Sequence, residues 1–154
     1  MKTHDHPLLP EWQVSQWFNN HEGDLQLSQL RGQVVLIHAF QMLCPGCVSH
    51  GLPLTSRVHE VFGAAGVTVV GLHCVFEHHA AMQPHALQAF IHEYRLRFPI
   101  GVDMPATDGP TPLTMAHWGL RGTPSTLFST VKADCACIIL ARPMSCSLAH
   151  GSEG

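Results

Sequence analysis

The sequence predicts an α/β domain with a central mixed β-sheet flanked by helices, and three observations carry that prediction. Two short runs, Val34 to Phe40 and Val67 to Leu72, are β-branched and almost wholly apolar, as strands covered on both faces are. Between them Val48, Leu52, Val58, Val61 and Phe62 recur near helical spacing, until Gly63-Ala64-Ala65-Gly66 ends the element. The first run leads straight into Cys44-Pro45-Gly46-Cys47, so a strand, a Cys-x-x-Cys and a helix follow one another.

The remaining elements follow in order. Residues 8–33 are mixed, with Trp12, Trp17 and Phe18 and then Leu25, Leu27 and Leu30 before Arg31-Gly32 turns into the first strand. The two apolar runs with the helix between them make a βαβ unit, right-handed by the general rule. Leu87, Phe90, Ile91 and Tyr94 mark one face of a helix over 84–97, and Phe98 to Val102 reads as a short strand. A loop rich in Pro, Thr, Asp and Gly spans 103–112, a short helix is expected over 113–118, and Thr123-Pro124 opens a strand through Phe128. Beyond Thr130 periodicity is weak, with Cys-Ile-Ile-Leu the one strand-like stretch. Cys135, Cys137 and Cys146 read most simply as unpaired thiols.

Composition bounds the function classes. The chain has 154 residues, 45% of them apolar, enough for one core without disulfide staples. A formal charge of −3 leaves no basic footprint for phosphates, so nucleic acid is not expected as a partner. The 13 His would move the net charge toward positive on mild acidification, which bears on solubility. Met1 to Pro10 carry His and Pro where a secretory signal carries an apolar run, and no stretch reaches the roughly 18 apolar residues of a membrane span, so the expected location is cytoplasmic. Trp12, Trp17 and Trp118 are expected to pack in the core.

Cys-x-x-Cys beside a βαβ pattern points to redox chemistry. Only a thiolate attacks a disulfide, and a second thiol must stand close enough to resolve the mixed disulfide. With Cys44 at the helix N-terminus and Cys47 one turn on, both sulfurs share a face, and the unpaired N–H groups there favour negative charge on Cys44. Pro45 suits the first turn, where its missing N–H costs little. Cys44 is the expected nucleophile and Cys47 the resolving thiol. A zinc site completed by His73, Cys74, His78 and His79 is the competing use of the pair, although the chain has no second Cys-x-x-Cys.

The stretch Leu27 to Cys47, in which Leu30 to Phe40 leads into Cys44-Pro45-Gly46-Cys47, resembles the thioredoxin superfamily, and within it the TlpA-like and AhpC/TSA-type redoxins. Val69-Val70-Gly71-Leu72-His73 is similar to their second core strand and Gly122-Thr123-Pro124-Ser125-Thr126 to their cis-proline loop. The resemblance covers about residues 20–130. It implies a thioredoxin fold with the Cys-x-x-Cys at the N-terminus of the first core helix, and a domain over 25–130. Residues 1–24 would then be an extension packing on it, and 131–154 an atypical C-terminal segment in place of a final hairpin and amphipathic helix. It further implies that Pro124 is cis and packs against the disulfide, that the backbone of Thr123 pairs with an incoming peptide or partner loop, and that the activity is thiol-disulfide exchange. The partners would be disulfide-bearing proteins or a partner reductase, with no cofactor and no bound metal.

Departures from the family pattern qualify this. Leu43 stands where a Trp is common, so the surface around the nucleophile is less aromatic. His38 occupies the position, six before the first Cys, where relatives place a buried carboxylate or another polar residue. It is either a packed core residue or, if it lies under Cys47, an acceptor for that thiol's proton. Gly51 and Pro53 interrupt the helix where relatives have a kink proline. His73, Cys74, Glu77, His78 and His79 follow the second strand at the edge where α/β folds carry their sites, and form either a rim of the site or a solvated loop. A peroxiredoxin-like antioxidant peroxidase is the enzymatic alternative. Its Pro-x-x-x-Thr-x-x-Cys pattern is absent, since Gln41 stands three before Cys44. A metal-binding module is the third reading.

Overall fold

The computed structural model describes residues 9–129 of the chain. Five strands form one mixed sheet: β1 (Val14–Phe18), β2 (Val34–Phe40), β3 (Val67–His73), β4 (Ile100–Asp103) and β5 (Ser125–Ser129), in the order β1-β4-β3-β2-β5. The two β-branched runs are its centre. β2 and β3 pair in parallel over their full length, from Val34 opposite Val67 to Phe40 opposite His73. β4 continues the parallel set beside β3, while β1 and β5 run antiparallel on the two flanks. This is the thioredoxin architecture expected above, with three helices, α1 (Leu52–Phe62), α2 (Pro84–Glu93) and α3 (Leu113–His117), against the sheet.

The period of two along β2 divides the core. Leu36 and Phe40 point to the face that carries α1 and α2, where they meet Leu52, Leu87, Ile91 and Phe98. Val35, Ile37 and Ala39 point to the other, with Trp12, Leu72, Met115 and Leu127. Burying one such side chain stabilises the fold by about 1.5–3 kcal/mol, so the double-sided burial of β2 and β3 makes these strands the least replaceable part of the chain. Gly71 interrupts the apolar run of β3 for a steric reason. A Cβ there would lie 2.9 Å from Phe98 and 3.2 Å from Phe40, space the two rings already occupy.

Several boundaries differ from the sequence reading. α2 stops at Glu93 rather than Arg97, because the chain reverses at Arg95, which has φ +54°, and the Leu96 N–H returns to the Ile91 carbonyl at 3.1 Å. Residues 14–18, expected within an extension that packs on the domain, form the edge strand β1 of its sheet. Trp17 and Val14 pack over Gly101, where a Cβ would come within 3.0 Å of each. The three tryptophans do pack together: Trp12 is buried, lies 5.4 Å from Trp17 and 6.4 Å from Trp118, and donates to the Leu25 carbonyl at 2.8 Å. Asp103 ends β4 and accepts the N–H groups of Thr114 and Met115 at 2.8 and 2.9 Å, capping α3 and closing the 104–112 loop. The 131–154 segment, with Cys135, Cys137 and Cys146, lies outside the described residues. No helix among the described residues is long and apolar enough to cross a membrane.

Candidate active site at the start of the first core helix

β2 delivers the chain to the C-terminal edge of the sheet, and a tight turn converts strand to helix. The Cys44 N–H donates to the Gln41 carbonyl at 3.1 Å, and the Cys44 carbonyl accepts the Val48 N–H at 3.1 Å, so helical bonding begins at the first cysteine. The first turn is wide. Cys47–Gly51 forms a π-helical turn before α1 takes over at Leu52, with Pro53, which has no N–H to give the helix, directly after it. The interruption read from Gly51 and Pro53 is therefore a change of helical pitch within a continuous element.

The two cysteines have different surroundings. Cys44 is half-buried, while Cys47 is wholly buried in the core cluster beneath α1. The Cys47 N–H points at the Cys44 sulfur across 3.3 Å, and the Cys44 thiol reaches the Thr123 carbonyl at 3.5 Å. Burial, followed by the neighbouring Cys44 sulfur, pushes the Cys47 thiol up to about 12. Both sulfurs are free thiols in this structure.

The Thr123–Pro124 bond is cis, as the resemblance implies. Pro124 packs on the cysteine turn: its ring would lie 3.6 Å from a Cβ on Gly46 and 3.4 Å from one on Gly51. His38, on β2, lies behind the same turn with 1% of its surface exposed. Its Nδ1 is 3.2 Å from the Thr126 hydroxyl on β5, and its Nε2 has no hydrogen-bond partner. The imidazole touches Gly51 so closely that a Cβ there would come within 2.7 Å of both Cε1 and Nε2. Glycine at 51 is thus the complement of a ring at 38. Burial lowers His38 to about 4, so it is neutral.

Of the residues expected to rim the site, two lie inside the protein. His73 and Cys74 are buried, while Glu77, His78 and His79 are exposed, and His79 Nε2 is 3.0 Å from the Pro110 carbonyl. Burial, with Asp103 beside it, raises the Cys74 thiol well above its ordinary value and keeps it protonated. Among the described residues no group of three or more His, Cys, Asp and Glu stands close enough to hold a metal ion. Gln41, singled out in the sequence only for not being Thr, is buried. Its Oε1 accepts the Phe76 N–H at 3.2 Å and its amide nitrogen has a long contact, 3.5 Å, with Glu77. The available signal was its polarity at the end of an apolar run. Leu43, beside Cys44, is 56% exposed.

Comparison with known proteins agrees with this geometry. Residues 8–132 match the AhpC/TSA family. A solved thioredoxin-like superfamily protein is 56% identical, with a TM-score of 0.77 over 82% of this chain and 80% of that one. A thiol-disulfide isomerase from Corynebacterium glutamicum is 46% identical, with a TM-score of 0.75 over 82% of this chain and 81% of that one. A secreted disulfide oxidoreductase from Mycobacterium tuberculosis, 19% identical with a TM-score of 0.57 over 81% of this chain and 78% of that one, shares the fold. Comparison with curated proteins gives no match. With the match spanning most of its length, and with cysteines, cis-proline and sheet arranged as described, the chain belongs to the AhpC/TSA family, among the thioredoxin-like redoxins.

Proposed function

We propose that the protein is a dithiol oxidoreductase acting on protein disulfides, with Cys44 as nucleophile and Cys47 as resolving thiol. The observation that carries this reading is the asymmetry of the two sulfurs: Cys44 is reachable and faces an N–H donor, while Cys47 is buried and held protonated. Cys44 as thiolate attacks one sulfur of a substrate disulfide, forming the mixed disulfide and releasing the other substrate sulfur as thiolate. Cys47 then loses its proton and attacks the Cys44 sulfur, releasing the second substrate thiol and leaving Cys44–Cys47 oxidised. The substrate gains two electrons and two protons, and a partner dithiol returns them to the enzyme. With the opposite supply of electrons the same site oxidises substrates, and the thiol-disulfide isomerase relative is compatible with either direction.

Pro124 and Thr123 have a positioning part in this scheme. The Thr123 carbonyl beside Cys44 is where an extended substrate segment would pair, next to the sulfur it must present. His38 shapes the floor of the site. A neutral ring near 4 is a weak acceptor for a thiol near 12, and its tight contact with Gly51 favours a packing role over proton transfer. The peroxidase alternative is not favoured, since Gln41 at the decisive position is committed to the Phe76 N–H. Insulin-type disulfide reduction and hydrogen peroxide consumption, measured in parallel, test the proposal. Cys44→Ser and Cys47→Ser are both expected to lose turnover, with Cys47→Ser accumulating mixed disulfides. Stoichiometric zinc held by the two cysteines in the purified protein, or peroxide turnover surviving in Cys47→Ser, would overturn it.

A further inference from the structure

The end of β2 and the loop before Cys44 are tied to the end of β3 and the segment after it by three hydrogen bonds of 3.2 Å or less. The Cys74 N–H donates to the Phe40 carbonyl at 2.9 Å, the Phe76 N–H donates to Gln41 Oε1 at 3.2 Å, and the Met42 N–H donates to His73 Nε2 at 3.2 Å. The first prolongs the parallel ladder by one rung. The other two are side-chain bonds made by residues that are 2% and 1% exposed, in a setting where an unmade bond costs far more than at the surface. His73 reaches the amide two residues before the nucleophile, while Gln41, which supplies the opposite bond, also carries the carbonyl that accepts the Cys44 N–H. Gln41 therefore takes part, through different atoms, both in the tie to the segment after β3 and in the cysteine turn.

We propose that His73 is a positioning residue for Cys44. Its Nε2, an acceptor in the neutral ring, fixes the Met42 amide and with it the turn that sets the Cys44 sulfur between the Cys47 N–H and the Thr123 carbonyl. This inference rests on Cys44 as the nucleophile. His73 touches no substrate atom. Its effect is on where the sulfur sits, and displacements of about 1 Å in such arrangements cost on the order of 10²-fold in rate.

The test pairs His73→Leu, which removes the acceptor, with His73→Gln, which keeps an acceptor at a similar reach. The readouts are the second-order rate of Cys44 alkylation by iodoacetamide and the reduction potential of the Cys44–Cys47 couple. His73→Leu is expected to slow alkylation at least about tenfold and to shift the potential, with His73→Gln restoring most of both. A His73→Leu protein that is less stable yet reacts at the wild-type rate with an unchanged potential has lost only packing, and overturns the proposal. Amide hydrogen exchange on the wild type covers the case in which His73→Leu fails to fold. The Met42 amide is expected to be strongly protected, and exchange at the rate of an open loop would sink the idea. Insulin-type disulfide reduction by Cys44→Ser separates the two readings, because exchange surviving in it refutes the nucleophile assignment whatever His73 does.

Discussion

Two buried histidines stand on neighbouring central strands, two residues out of register, and they are used differently. His38 on β2 and His73 on β3 each have 1% of their surface exposed, each is lowered to about 4 by burial, and the ring of Phe40 packs against both, 6.0 Å from the first and 5.2 Å from the second. The Nε2 of His73 accepts a backbone N–H from the cysteine loop. The Nε2 of His38 accepts nothing and is pressed against Gly51. The same side chain in the same layer thus supplies a hydrogen bond in one place and a volume in the other. Burial alone does not tell a ligating imidazole from a space-filling one; the neighbouring backbone does.

Acid pH breaks both rings at once and should have the largest effect. Each is neutral in the fold and has an unfolded value near 6.5, so the stability each contributes is fully present above about pH 6.5 and is lost as pH falls toward 4, where only the unfolded chain has taken up the protons. A lowering from 6.5 to about 4 corresponds to about 3 kcal/mol per ring once both states are protonated. Urea unfolding between pH 7 and 4 should give a steep loss, and replacing either histidine should remove about one proton from its slope.

Gly51→Ala sharpens the volume side of the comparison. Its backbone is ordinary helix, φ −63°, so the expected penalty, about 1–3 kcal/mol, comes from the methyl driven against His38 and Pro124. In a His38→Ala background the same change should become neutral or stabilising, as Gly to Ala within a helix normally is. Additive effects in that double-mutant cycle would refute steric complementarity between 38 and 51. His73→Leu addresses the other ring. It strands the buried Met42 N–H, at a cost of about 1–3 kcal/mol in denaturant unfolding. His38→Leu should be the mildest, under about 1 kcal/mol, because it discards a nitrogen that had no partner and one bond to Thr126. Should His38→Leu prove the more damaging, the contrast drawn between the two sites would be reversed.

The central layer was legible because its signals are local. Val34 to Phe40, the helical spacing after Cys47 and the Cys-x-x-Cys between them each declare themselves within about a dozen residues, and Thr123-Pro124 is a short motif with a family precedent. β1 was not legible, because five residues with an irregular burial pattern become a strand only by pairing with β4, more than 80 residues away. The π-helical turn at Cys47–Gly51 carries no periodicity of its own in so few residues, and its fit to His38 is a contact between elements. His73 was visible as a polar residue at a strand end, the edge where sites gather. Its actual target, the Met42 amide, depends on the loop geometry at the end of β2. What escaped the sequence is pairing across the fold.

The complete burial of Cys47 one turn below a reachable Cys44 has a consequence for survival under oxidative stress. With the roles proposed above, an oxidant that converts the outer sulfur to a sulfenic acid would leave it next to a shielded thiol, and condensation of the two would expel water and close the disulfide. The outer sulfur would thereby be capped before it climbs to the irreversible sulfinic and sulfonic acids, and the damage stored in a form that a sufficiently reducing dithiol can undo.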